Sequence, residues 1–119
     1  MAKRPPAPEE FLPLSEIAWE ILLTLVDEDR HGYAILLEVE RRTAGRLELL
    51  PGSLYRAIHR FRKQGLVEER PGARSADPRR RVHRLTPLGR RVLAAEAARL
   101  AAKVRSARGS GLLPQGGLP

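Results

Sequence analysis

The segment from Pro51 to Gln64 constrains the fold more than any other part of the chain. Pro51, Gly52 and Ser53 form a turn and capping signal and Gly65 supplies a stop, so the spacing predicts a helix of about twelve residues. Leu54, Ile58 and Phe61 recur at steps of four and three and predict a buried face. Arg56, Arg60 and Lys63 form a stripe at the same steps elsewhere on the surface. Like charges so spaced repel one another in an isolated helix, and a phosphate backbone would offset that cost.

Two amphipathic segments precede this helix. Leu14, Ile17, Ala18, Ile21, Leu22 and Leu25 mark a helix over 15–26, with Ser15 as N-cap and Glu16 in the positively polarised first turn. A second helix spans His31 to Ala44, with Ile35, Leu36 and Val39 inward and Gly45 as its C-cap. After Gly65, the runs 66–70 and 81–85 predict a β-hairpin, with Pro71 and Gly72 opening its long tip. Thr86 and Pro87 then start a last helix over 87–108. Its residues Leu93, Ala97, Leu100, Val104 and Ala107 follow a heptad-like seam, read as a homodimer interface, with packing back on the chain's own first helix as the alternative. Residues 1–12 and 109–119, rich in proline, charge or glycine, read as flexible tails.

Charge is segregated along the chain. Residues 1–50 hold six Lys or Arg against ten Asp or Glu, whereas residues 51–119 hold sixteen against four, giving halves of −4 and +12 that sum to the net +8. Such a division points to one surface that meets a polyanion and another that does not. Eight arginines lie between Arg70 and Arg91, with Asp77 as the sole acid. The absence of cysteine excludes a disulfide framework, a thiolate nucleophile and a Cys-based zinc site. The three histidines are too scattered for a metal-binding tract. No apolar run approaches the roughly 18 residues of a membrane span, and the proline-rich start does not read as a signal peptide. The expectation is a cytoplasmic protein without cofactor or metal, whose partners are double-stranded DNA and a second copy of itself, and not a membrane.

Helix, helix, helix, hairpin, helix, with basic charge on the third helix and the hairpin, describes a winged helix-turn-helix: a mainly α fold with a small β-hairpin wing over 13–86, followed by the C-terminal dimerisation helix. Four motifs stand in register with these elements: His31-Gly32-Tyr33, Pro51-Gly52-Ser53-Leu54-Tyr55, Gln64-Gly65-Leu66-Val67 and Arg84-Leu85-Thr86-Pro87-Leu88-Gly89. Together, over about residues 14 to 106, the chain resembles the PadR family of transcriptional regulators. The resemblance implies a dimeric regulator, a repressor by preference, whose third helix enters the major groove of a two-fold operator. It implies that Ser53, Tyr55, Arg56, His59 and Arg60 lie at the recognition surface and that Arg74, Arg79, Arg80 and Arg81 are wing contacts. Tyr55 packing against the hairpin base is an equal reading to Tyr55 touching DNA. His83 and Val82 depart from the aromatic residues frequent in the family's return strand, which puts the packing of the wing in question. Trp19 is the one candidate for lining a small-molecule effector pocket, with ordinary packing as its alternative.

No catalytic constellation is present: there is no phosphate-cradling glycine loop and no Ser-His-acid arrangement on a recognisable scaffold. The competing functions are a winged-helix protein-interaction module and a nonspecific architectural DNA-binding protein.

Overall fold

The computed structural model describes residues 4–70 and 80–114. A 3-10 helix, Pro8–Phe11, is followed by α1 (Glu16–Leu23), β1 (Arg30–His31), α2 (Gly32–Arg42), α3 (Pro51–Lys63), β2 (Val67–Glu69), β3 (Val82–Leu85) and α4 (Pro87–Gly109). The winged helix-turn-helix expected from the order of helices and hairpin is the observed architecture.

Apolar periodicity builds the core. Ile21 and Leu22 of α1, Ile35 and Val39 of α2, Leu54, Ile58 and Phe61 of α3, and Val92 and Leu93 of α4 are buried in one cluster with Leu66, Val67 and Leu85 of the hairpin. Each large aliphatic or aromatic side chain so buried stabilises the fold by about 1.5 to 3 kcal/mol. Ile17 departs from the expected inward set, at 36% exposure.

Side-chain caps start α1 and α4. Ser15 Oγ accepts from the Ala18 N–H at 3.0 Å and Thr86 Oγ1 accepts from the Gly89 N–H at 3.0 Å, as their sequence positions predict. Helix α1 stops three residues earlier than expected. The Thr24 hydroxyl donates to the Ile21 carbonyl at 2.7 Å and the Arg30 guanidinium takes the Thr24 carbonyl at 2.7 Å, which diverts groups that a longer helix would use. Helix α3 begins at Pro51 after an extended Leu50 and has no side-chain cap, so Ser53 does not serve as one.

The sheet has the strand order β1-β3-β2, all antiparallel. Strand β1 was not expected. It pairs Arg30 with His83 and His31 with Val82, making β3 the central strand.

The N-terminal tail expected over 1–12 is corrected for its second half. Pro8–Phe11 packs on α4, and Phe11, Leu12 and Leu14 lie against the core. Glu96 of α4, 2% exposed, anchors this segment: its carboxylate accepts from the Leu14 N–H at 2.8 Å and from Arg99 Nε at 2.5 Å. Of the C-terminal segment expected as a tail over 109–119, the Gly111 and Leu112 N–H groups donate to the Arg108 and Ala107 carbonyls at 3.0 and 2.9 Å and close the helix end, and residues 115–119 lie outside the described residues.

Arg99 holds the Glu96 carboxyl below its ordinary value of about 4.5, outweighing the opposing effect of burial. The ion pair therefore contributes its full stability above that ordinary value and loses it as pH falls through the lower folded value. Glu96→Ala leaves the Leu14 N–H and the Arg99 guanidinium without their acceptor, and should cost about 2 kcal/mol at neutral pH in urea melts. The difference from wild type should shrink in acid, and a difference that stays constant down to about pH 3 contradicts this role for the carboxylate.

Candidate nucleic-acid interface

The turn from Thr43 to Leu50 holds α2 and α3 as a helix-turn-helix pair. Ala44 and Gly45 both take positive φ, 52° and 75°, and so reverse the chain after α2. The N-terminus of α3 meets that of α2 through Tyr55 and Gly32. A Cβ on Gly32 would lie 2.9 Å from Tyr55 Cε1 and Oη, so only glycine leaves room for the ring. The glycine of the His31-Gly32-Tyr33 motif is thereby explained, and Tyr55 is half-buried between α2 and the wing base.

Helix α3 presents Arg56, His59, Arg60 and Lys63 outward, all exposed. Among the described residues, Arg56, Arg60 and Lys63 form no ion pair. Arg56 makes one 3.3 Å bond to Ser53 Oγ, and the Arg60 guanidinium lies 5.5 Å from the Phe61 ring centroid. Several cations elsewhere are satisfied internally, Arg41 and Arg42 by Glu38, Arg46 by Glu16, Arg84 by Glu68 and Arg99 by Glu96, whereas Arg91, Lys103 and Arg105 of α4 are exposed and, among the described residues, in no ion pair. Helices α2 and α3 also lack side-chain caps, whereas α1 and α4 have them. Uncapped N–H groups and the positive dipole end favour an anion at both N-termini of the helix-turn-helix.

The wing stands beside α3. Arg80 is exposed, and Arg81 is half-buried with Nε 3.5 Å from Glu69 Oε1. Arg74 and Arg79 lie outside the described residues. Arg62, which the stripe reading passed over, pairs with the same Glu69 oxygen at 3.3 Å and links α3 to the wing. Its sign in the sequence was its position on a cationic helix facing Glu68-Glu69, but only the hairpin register shows which acid it meets.

Of the seam on α4, Leu93 is 5% exposed and packs largely within the protomer's own core. The remainder diverges from the core, with Ala97 and Leu100 exposed and Val104 and Ala107 half-buried. Trp19, Leu23 and Val26 face Leu93, Ala94 and Ala97 across an apolar cleft of about 250 Å³, with Arg90 at its edge. The alternative of packing on α1 thus holds for the start of the seam, and Trp19 is half-buried against the core while lining this cleft.

The model of the transcriptional regulator PadR-like family matches residues 21–95 of the chain. This chain belongs to the PadR-like family. A relative from Lysinibacillus sphaericus, described as uncharacterized protein X, is 32% identical over 73 residues, covering 61% of this chain and 67% of that protein. Among solved structures, the complex structure of hsRosR-S4 superposes with a TM-score of 0.67 at 26% identity, over 82% of this chain and 80% of that one. A PadR family transcription regulator from Clostridium difficile gives a TM-score of 0.64 at 22% identity, over 80% and 97% of the two chains, and supports the fold. The PadR-like chain is accordingly a DNA-binding transcriptional regulator and not an enzyme. No helix among its described residues is long and apolar enough to cross a membrane.

Proposed function

We propose that this PadR-like regulator binds a two-fold operator as a homodimer and represses transcription by occupying it. The observation that carries this reading is the exposed face of α3, where Arg56, Arg60 and Lys63 stand without ion pairs among the described residues. Helix α3 enters the major groove, where Arg56 and Arg60 reach base edges or phosphates, and Lys63 and His59 contact the backbone. Ser53 and the N–H groups of the uncapped helix starts bind phosphate. Arg80 and Arg81, with Arg74 and Arg79 of the wing tip, contact the adjacent backbone. Tyr55 acts chiefly by fixing α2 against α3.

Ala97, Leu100, Val104 and Ala107 make the dimer seam, with the partner's α4 covering the apolar cleft at Trp19. The same cleft is where an apolar effector would bear on the interface. A two-fold arrangement places two copies of α3 about 34 Å apart, one helical turn of DNA. Occupancy of a promoter site excludes polymerase without a further contact surface, which favours repression.

Selection of genomic fragments by the purified protein, repeated at two salt concentrations, tests the reading. A short inverted repeat should emerge, and Leu100→Asp should convert dimer to monomer in sedimentation and weaken binding to the full repeat about tenfold or more. Salt-sensitive binding without a motif identifies an architectural protein, and no binding identifies a protein-interaction module.

A further inference from the structure

We propose that His83 makes the seating of the wing on α3 responsive to protonation, with the neutral imidazole holding the wing closed and the charged one loosening it. This rests on the DNA-binding reading only for its consequence, since the device itself belongs to the fold.

His83 is 3% exposed on the central strand β3, and neither ring nitrogen has a hydrogen-bond partner among the described residues. A buried polar group without partners is uncommon, and an apolar aromatic residue would fill the same space at less cost. The ring lines a cleft of about 220 Å³ between α3 and the wing, with Tyr55, Ile58, His59, Arg62 and Arg81. Two arginines flank it, Arg62 from α3 and Arg81 from its own strand, with His59 of α3 lining the same cleft and His31 of β1 nearby; its register partner on β1, Arg30, turns its guanidinium to the Thr24 carbonyl and Glu28. Tyr55 brings a neutral phenol. The opposing carboxylate is Glu69, its register partner on β2, already shared between Arg62 and Arg81.

A proton on His83 must therefore enter a buried site flanked by Arg62 and Arg81, where it competes with both for Glu69, the carboxylate whose pair with Arg62 joins the wing to α3. Burial is the largest influence and holds the imidazole below its ordinary value of 6.5. The unfolded or wing-released state consequently binds the proton more tightly. Wing seating is complete above the ordinary value and weakens as pH falls from there toward the lower folded value.

His59 is exposed on the α3 surface and is present in both wild type and His83→Phe, so a comparison of the two isolates His83.

The test uses the full chain and a fluorescein-labelled mixed-sequence duplex at low salt, at about pH 7.5 and about pH 5.5, either side of the ordinary imidazole value. In the protein without DNA, the His83 ring-proton resonance should titrate below the ordinary imidazole value of 6.5. The wild-type melting temperature should fall between the two pH values by more than that of His83→Phe. With DNA, wild type should lose about three- to tenfold in affinity on acidification relative to the loss in His83→Phe. Equal acid sensitivity in wild type and His83→Phe, or a His83 resonance titrating at or above the ordinary value, overturns the proposal. If His83→Phe does not fold, the wild-type resonance decides alone. Absence of duplex binding at either pH counts against the DNA-binding reading, while the DNA-free titration and melts still decide the role of His83.

Discussion

The double variant Arg56→Ala, Arg60→Ala should bind its DNA site at least about 1,000-fold more weakly than wild type while melting within a few degrees of it. Each arginine lost from a base edge or phosphate removes about 1 to 3 kcal/mol per site, and the dimer proposed above loses both copies. Little is lost from the fold. Both side chains are exposed, neither is in an ion pair among the described residues, and alanine is at least as good a helix former as arginine. What disappears internally is the 3.3 Å bond from Arg56 to Ser53 and the approach of Arg60 to the Phe61 ring, together about 1 kcal/mol. The dependence of log affinity on log salt should also become shallower by about one for each phosphate contact removed. Arg41→Ala is the matching control: this arginine is 71% exposed but bound to Glu38, and its loss should leave DNA binding nearly unchanged. Equal affinity of the double variant and wild type, measured by fluorescence anisotropy at fixed salt, would remove the α3 face as the interface.

The contrast between Arg56 and Arg41 shows what was legible in the sequence. The boundaries of α3 and α4 are written locally, in Pro51 and Gly65 and in Thr86 and Pro87, and the apolar steps within them specify the buried faces without reference to the rest of the chain. Strand β1 is two residues long and has no period to detect; it exists because β3 offers its free edge to Arg30 and His31. The Pro8–Phe11 segment resembles a tail in composition because its anchor, Glu96, lies 82 residues beyond Leu14. Leu93 continues the heptad spacing of the outer seam, yet the start of α4 lies over α1 and only its later turns leave the core. A charge stripe reveals which cations share a helix face, but not which of them are neutralised. Arg62 lies on a different face of α3 from Arg60, and the hairpin register then decides that it meets Glu69. In each case the missed feature is a contact made by tertiary packing, whereas the features that were read correctly are periodic or capping signals within one element.

Gly89→Ala should destabilise the domain by about 3 kcal/mol, lowering its melting temperature by about 10 to 20 °C. Intrinsic preference argues the other way, since alanine in a helix gains up to about 1 kcal/mol over glycine and also restricts the unfolded chain. Space decides against it. A Cβ on Gly89 would stand 2.3 Å from the Leu66 carbonyl oxygen and 2.7 Å from Leu85 Cδ1. Leu85 could shift a methyl group, but the Leu66 carbonyl is backbone and accepts from the Thr86 N–H at 3.1 Å. The Thr86 hydroxyl in turn donates to the Gly65 carbonyl at 2.6 Å and accepts from the Gly89 N–H. Relieving the overlap requires α4 to back away from the hairpin, breaking the cap and the turn that join the wing to the seam. Gly109→Ala isolates the preference from the clash, because nothing lies within 4 Å of a Cβ there, and that variant should melt at or slightly above wild type. If Gly89→Ala also melts there, α4 does not approach the hairpin as closely as described, and the Thr86 bonds that join the hairpin to α4 do not hold the two together as tightly as their geometry implies.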